Sequence, residues 1–350
     1  MKRTLVIVAF LLSVVPAVWL PGGASARSQS VQYSFATVNV DFPAFQEDFF
    51  GCAATGISDP GLIVGGCNDA QQSSELRGYL YTGRRFEEID FPRARKAPSS
   101  DRDVQNALPW RSIYERSQFY RTSAQPSSIV GSMKPIVNGV TPQDINRWGQ
   151  VTGWYSDGTR LQGFLKRNGT VFALSVPDSN LTEAVGLNDL GQVVGDFRGQ
   201  DGAFHGFVYY AGAYRTIDVP AEADTGAAGI NNLGQVVGCY SSCGRGFLYN
   251  PKTSSFVSID FPDPTRPDGR AQSTQAADIN DVGHVVGHYY DGTTVHGFFY
   301  DGSEFTSIDA PGAILTDIFR INNFDQIVGS YVAETSPDVF EHFAFVGNRK

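Results

Sequence analysis

The sequence predicts an all-β fold, a six-bladed β-propeller closed by its own N-terminal strand, and three observations predict it. One motif recurs: GINNLGQVVGCY from Gly229, GLNDLGQVVGDF from Gly186, DINDVGHVVGHY from Asp278, DINRWGQVTGWY from Asp144, RINNFDQIVGSY from Arg320 and a weaker GISDPGLIVGGC from Gly56. Its opening apolar residues (Ile57, Ile145, Leu187, Ile230, Ile279 and Ile321) step by a period in the low forties that doubles once. Four short strands in such a period make a propeller blade, whereas a β-helix coil is much shorter. The last copy ends at Lys350 without a fourth strand, and YSFATVNVDFP, from Tyr33 to Pro43, supplies one from the other end of the chain.

In chain order, Lys2 and Arg3 precede an apolar run from Leu5 to Val18, followed by Ala24-Ser25-Ala26. This reads as a signal peptide over residues 1–26, too short to span a bilayer. Residues 31–350 then form a single β domain. Within each copy, Asn-x-x-Gly, as in Asn231 to Gly234, suits a type I turn: Asn accepts from the backbone and Gly takes positive φ. The turn joins strand one, ending at Ile230, to strand two, Gln235 to Tyr240. Strand three is a short aromatic segment: RGYLY at Arg77, QGFLK at Gln162, HGFVY at His205, RGFLY at Arg245, HGFFY at His296 and HFAFV at His342. Its Gly admits a close neighbour. Strand four ends on Pro92, Pro177, Pro220, Pro262 or Pro311, where the ladder loses a donor. A lone sheet of this kind has two apolar faces, and radial stacking covers them.

The repeat lapses over residues 93–138. That stretch reads as a long surface loop, with a degenerate blade, giving seven in all, or a functional flap as alternatives. Its mixture of Arg93, Arg95, Trp110, Tyr114, Phe119 and Tyr120 makes it a place to look for a partner site.

Charge and cysteines narrow the function. The chain has 36 acidic and 27 basic residues, net −9, which argues against nucleic acid and against anionic lipid. Four cysteines in an exported chain are expected to be oxidised; Cys52 with Cys67 and Cys239 with Cys243 are the favoured pairs, each inside one repeat. The expected location is secreted or periplasmic, with no membrane span after cleavage.

No residue constellation reaches the standard of a catalytic or metal site, and no cofactor is implied. His284 and His288 are four apart in a strand-like run, about 13 Å by the strand rise, too far for one ion. One polar residue per blade (Arg77, Gln162, His205, Arg245, His296 and His342) forms a candidate polar ring, or caps backbone groups between blades. The aspartates Asp41, Asp90, Asp218, Asp260 and Asp309 recur likewise, which suits turn or inter-blade bonding better than an asymmetric catalytic pair. GxSxG and HExxH are missing, and DINDVG lacks the ligands of an EF-hand.

The repeats resemble the HAF family of probable extracellular repeats, on His-Gly-Phe at His205 and His296 and His342-Phe343-Ala344-Phe345 in the last copy. The resemblance covers nearly the whole mature chain outside the insertion. It implies export and a repeated β fold, and no activity. The expectation is an exported non-catalytic binding or scaffold module for a glycan or surface protein. The alternatives are a propeller-type polysaccharide hydrolase or lyase and a structural envelope component. An enzyme should show ionisable groups from different blades converging on a central pocket without repeating around the ring.

Overall fold

A computed structural model describes residues 31–38, 49–69, 76–89, 139–156, 160–337 and 339–350. The expected signal peptide and the insertion at 93–138 lie outside them. Each repeat folds into four antiparallel strands, and six such sheets form a six-bladed β-propeller. The first described strand of the chain belongs to the last blade, so blade 1 begins with the second strand. β1 is Tyr33–Thr37, and blade 1 consists of β2 (Phe49–Ile57), β3 (Ile63–Asp69), β4 (Leu76–Tyr81) and β5 (Phe86–Ile89).

Blade 2 is β6 (Gly139–Ile145), β7 (Val151–Ser156), β8 (Leu161–Arg167) and β9 (Thr170–Leu174). Blade 3 is β10 (Thr182–Leu187), β11 (Val193–Arg198), β12 (Phe204–Tyr210) and β13 (Ala213–Ile217). Blade 4 is β14 (Thr225–Ile230), β15 (Val236–Tyr240), β16 (Arg245–Asn250) and β17 (Ser255–Ile259). Blade 5 is β18 (Ser273–Ile279), β19 (Val285–Tyr290), β20 (Val295–Tyr300) and β21 (Phe305–Ile308). Blade 6 is β22 (Ala313–Ile321), β23 (Ile327–Ser336), β24 (Val339–Arg349) and, as its outer strand, β1.

Ring closure follows the sequence expectation. Tyr33 pairs with Arg349 and Thr37 with Phe345, and the Val38 N–H donates to the Ala344 carbonyl at 2.9 Å. The edge of β24 is thereby paired rather than left open. The remainder of the expected strand, through Pro43, lies outside the described residues.

Two glycine positions explain why the motif reads as it does. The strand-two glycine (Gly65, Gly153, Gly195, Gly238, Gly287 and Gly329) lies under a strand-one carbonyl, where a Cβ would collide. A bulge follows that carbonyl in strand one of all six blades, such as Ala227/Gly229 and Ala276/Asp278. The strand-three glycine faces the next blade: a Cβ on Gly163 would meet Ala184, and one on Gly297 would meet Ile318. Between these glycines, Tyr79, Phe164, Phe207, Phe247, Phe298 and Phe345 are fully buried, one per blade. Each such ring is worth about 1.5–3 kcal/mol relative to exposure, so the stack supplies the apolar drive that one sheet lacks.

Candidate functional site

All six strand-one to strand-two turns meet at one end of the axis; four carry the predicted Asn-x-x-Gly, while blade 1 has Ser58 for the Asn and blade 6 has Asp325, at φ 57°, for the Gly. Asn231 Oδ1 accepts from the N–H groups of Leu233 and Gln235 at 3.1 and 3.0 Å, and Gly234 sits at φ 75°. The sequence reading missed the other half of this side chain. Its Nδ2 donates to the carbonyl of the equivalent residue in the next blade, at 3.1 Å for Asn146 to Asn188, 3.0 Å for Asn188 to Asn231 and 3.0 Å for Asn231 to Asn280. Asn280 continues to Asn322, and Asn322 to Ser58, both at 3.2 Å. The buried asparagines thus form a belt around the axis. Asn follows the opening apolar residue in five of the six copies, and that recurrence alone does not say what its amide meets.

Above the belt, the next residue of each turn forms a second ring: Asp59, Arg147, Asp189, Asn232, Asp281 and Asn323. Each Asp or Asn accepts the backbone N–H of the preceding blade through Oδ1, as Asn323 does from Asp281 at 2.8 Å. Laterally, Asn232 Nδ2 donates to Asp189 at 3.0 Å and Asp281 at 2.7 Å, while Asn323 Nδ2 serves Asp59 and Asp281. Arg147 breaks the alternation and lies 3.4 Å from Asp189.

Below the belt the symmetry fails. The residue before each apolar position is Gly56, Asp144, Gly186, Gly229, Asp278 and Arg320. Asp144, Asp278 and Arg320 come from blades 2, 5 and 6, and all three are buried. Arg320 Nη2 donates across the axis to the Val185 carbonyl at 2.7 Å, Nη1 donates to the Phe319 carbonyl at 2.7 Å, and Nε lies 3.6 Å from Asp144. Asp144 accepts from the N–H groups of Ile145 and Leu187, both at 2.8 Å, and Asp278 accepts from Ile321 at 3.0 Å. Burial pushes the Asp144 carboxyl up to about 6 and that of Asp278 up to about 7, against the pull of Arg320 and the backbone donors. The two rings, with Asp144 and Asp278 beneath them, line an open-mouthed cavity of about 60 Å³.

Residues of the candidate polar ring find partners within their own blades. His205 Nδ1 pairs with Asp218 at 3.0 Å and Nε2 with Asp201 at 3.3 Å. His296 repeats this with Asp309 at 3.0 Å and Asp291 at 3.4 Å. Arg245 Nε donates to Asp260 at 3.1 Å, Ser175 donates to Gln162 at 3.2 Å, and Arg77 lies 3.8 Å from Glu88. These are pairs within one blade, linking strand three to strand four or, for Asp201 and Asp291, to the turn between strands two and three, rather than caps between blades. They explain the recurring aspartates at 218, 260 and 309; Asp41 and Asp90 lie outside the described residues. Register corrects the last copy: Phe343 pairs with Tyr331, as His205 pairs with Phe197, whereas His342 pairs with Val332 and is one residue out of phase.

Partial burial pulls the His205 imidazole down, but its bonds to Asp218 and Asp201 outweigh this and hold it above the ordinary histidine value. His296 is raised as well, chiefly by its bond to Asp309. His284 and His288 serve different partners: His284 Nδ1 meets Asp325 at 2.7 Å, and His288 lies 3.7 Å from Asp317. Asp325 also binds Arg349, whose guanidinium lies 5.1 Å over the Phe299 ring, so this node ties blade 5 to the closing blade. Cys239 is bonded to Cys243; Cys67 is disulfide-bonded, and Cys52 is its ladder partner. Among the described residues, no group of three or more His, Cys, Asp or Glu is placed to hold a metal, and no helix is long and apolar enough to cross a membrane.

No family model and no curated protein matches the chain. Solved structures similar to it include a mutant of AofleA from Arthrobotrys oligospora, at 11% identity and TM-score 0.47, covering 90% of this chain and 86% of that one. A protein of unknown function from Dyadobacter fermentans matches at 9% identity and TM-score 0.47, covering 92% and 100%. A streptogramin B lyase matches at 10% identity and TM-score 0.43, covering 91% and 98%. Likenesses this distant carry no functional argument.

Proposed function

We propose that this chain is an exported, non-catalytic repeat protein of the HAF type, acting as a binding or scaffold module for a surface protein or a glycan. The observation that carries the reading is the state of the axial cavity. It is about 60 Å³, against roughly 300–1,000 Å³ for sites that enclose small molecules. Ionisable groups from different blades do converge there without repeating, which is the pattern set out for an enzyme. They are spent on each other and on the backbone: Arg320 spans the axis between Asp144 and the Val185 carbonyl. A saccharide ring has no room to reach them. Binding is left to the outer surfaces of the ring.

The test is a glycan array and a panel of envelope proteins, probed with the mature chain and with a version lacking Arg93 to Asn138, alongside a polysaccharide turnover assay. Retained binding without turnover supports the reading. Turnover abolished by Asp278→Asn would establish the propeller-type hydrolase or lyase in its place.

A further inference from the structure

The third residue of each axial turn is Pro60, Trp148, Leu190, Leu233, Val282 or Phe324. The last five are large and apolar, yet they expose between 52% and 70% of their surface. Half of the ten exposed large hydrophobics among the described residues stand at this one position. Folding does not ask for them. The turn is made by the asparagine and the backbone, and its third position accepts Asp, Asn or Ser readily. Single exposed apolar residues are ordinary, but a crown of them around one mouth marks an interaction site.

One member of the crown is also held in place. Trp148 Nε1–H donates to the Asp189 carbonyl of the next blade at 3.0 Å, and Arg147 stacks 4.7 Å over its ring. An anchor already ordered loses little freedom on binding.

Charge selects the occupant. Inside the crown stand Asp59, Asp189 and Asp281 against Arg147, so the mouth is net negative. Beyond the crown, the hairpins joining strands three and four lie at the same end. They carry exposed Arg84, Arg85, Arg167 and Lys252 against Asp301 and Glu304. A cation at the centre, apolar groups around it and acidic groups outside would complement this surface. A second copy docked face to face would set acidic mouth against acidic mouth. A bilayer would bring headgroup phosphates against the three aspartates.

We propose that the crown docks a projecting loop or terminus of a partner polypeptide, its tip carrying a lysine or arginine directed at the acidic mouth and its flanks apolar. This rests on the binding-module reading and adds the place and the chemistry.

The test uses the mature chain and a phage-displayed library of disulfide-constrained random loops. Affinities of the selected loops are compared between wild type, a crown variant (Leu190→Ser, Leu233→Ser, Phe324→Ser) and a mouth variant (Asp189→Asn, Asp281→Asn). Unchanged melting temperatures establish that each variant is folded, and single substitutions replace any combination that is not. The expected result is loops sharing a Lys or Arg beside apolar residues, weakened about tenfold or more by either variant, with less salt dependence for the mouth variant. Loops that bind the crown variant as well as wild type overturn the crown while leaving the binding module standing. Polysaccharide turnover would instead remove the module reading itself. Crown-dependent sedimentation with phosphatidylcholine vesicles containing one quarter phosphatidylglycerol overturns the proposal in favour of a membrane. A crown-dependent dimer in sedimentation velocity overturns it in favour of self-association.

Discussion

Replacing Arg320 with Met keeps much of the apolar stem and removes the guanidinium that spans the axis. Two carboxyls, Asp144 and Asp278, then share a closed floor with no cation. Breaking a buried ion pair from one side costs about 3–5 kcal/mol, and that cost applies where both acids would be ionised. Their folded pKa values, about 6 and about 7, exceed the ordinary 3.8, so the folded state holds more protons than the unfolded one between pH 4 and 7. Stability at this cluster therefore falls as pH rises through that window, already in wild type. Without Arg320 both values move further up, so the fall is steeper and extends above pH 7. At pH 5 both acids are protonated in either protein. The remaining loss there is the donors to the Val185 and Phe319 carbonyls, about 1–2 kcal/mol together. Urea unfolding at pH 5 and pH 8 separates the two terms, and adding Asp278→Asn should restore part of the loss at pH 8 only. Equal losses at the two pH values would refute the account of the floor as an ion cluster.

Deleting Val31 to Phe42 strips the outer strand from blade 6 and should give a protein that aggregates or melts far below full length; identical melting would count against closure by β1. Asn231→Ala removes four hydrogen bonds at a buried turn and should cost about 2–3 kcal/mol, read by denaturant titration. Phe207→Ala empties a fully buried ring site and should cost about 3–5 kcal/mol by the same measurement. His205 and His296 have raised values in the fold, so their stabilisation is complete below about pH 6.5 and is lost as pH rises through the folded values. Changing Asp218 to Asn should lower the His205 midpoint in an NMR titration while His296 stays put.

The fold was legible because its causes are local and repeated. The strand-three glycine, the Asn-x-x-Gly turn and the closing Pro each solve a problem that all blades share, so each recurs at a fixed offset. The missing fourth strand of the last copy was legible as an absence in a pattern. The belt was not, because Asn231 already had a sufficient local role in its turn, and nothing in a sequence tells which neighbour the second half of an amide will meet. The pairs made by the candidate polar-ring residues were not legible for a related reason. His205 and Asp218 are both periodic, but pairing them requires the register between strands three and four, which HFAFV obscured by offering a histidine one position early. The floor is the reverse case. Gly56, Asp144, Gly186, Gly229, Asp278 and Arg320 head the six aligned copies, and their disagreement was the signal: a position that varies between small and charged while its neighbours hold steady lies where the copies meet different surroundings.

That asymmetry also locates the weakest joint. The alternation of Asp with Asn in the mouth suits an even number of blades, since each acid then sits between two donors. It breaks at Arg147, which has no acceptor for the blade before it. The belt stops at the same place. Ser58 stands where the other blades have Asn, and its hydroxyl is used on Leu62 of its own turn; among the described residues no belt bond runs from Ser58 to Asn146. Blades 1 and 2 are held instead by the apolar cluster of Val64, Ile89, Ile145, Val151 and Phe164, by Thr55 Oγ1 on the Pro142 carbonyl at 2.8 Å, and by one parallel pair, Leu76 with Gly139. The joint between blades 6 and 1 is by contrast tied by the Asn322 bond to Ser58 and by Asn323 on Asp59, with blade 6 itself completed by the ladder of β1 on β24. Opening should therefore begin between blades 1 and 2, where the chain passes through the insertion, and not at the closing blade. Hydrogen exchange read by mass spectrometry should find the amides of Gly139–Ile145 less protected than those of Thr225–Ile230 or Ser273–Ile279. Introducing Ser58→Asn, which restores the missing donor, should slow that exchange. Exchange that starts at Tyr33–Thr37 in both proteins would show that the outer strand, and not the belt, governs how the ring comes apart.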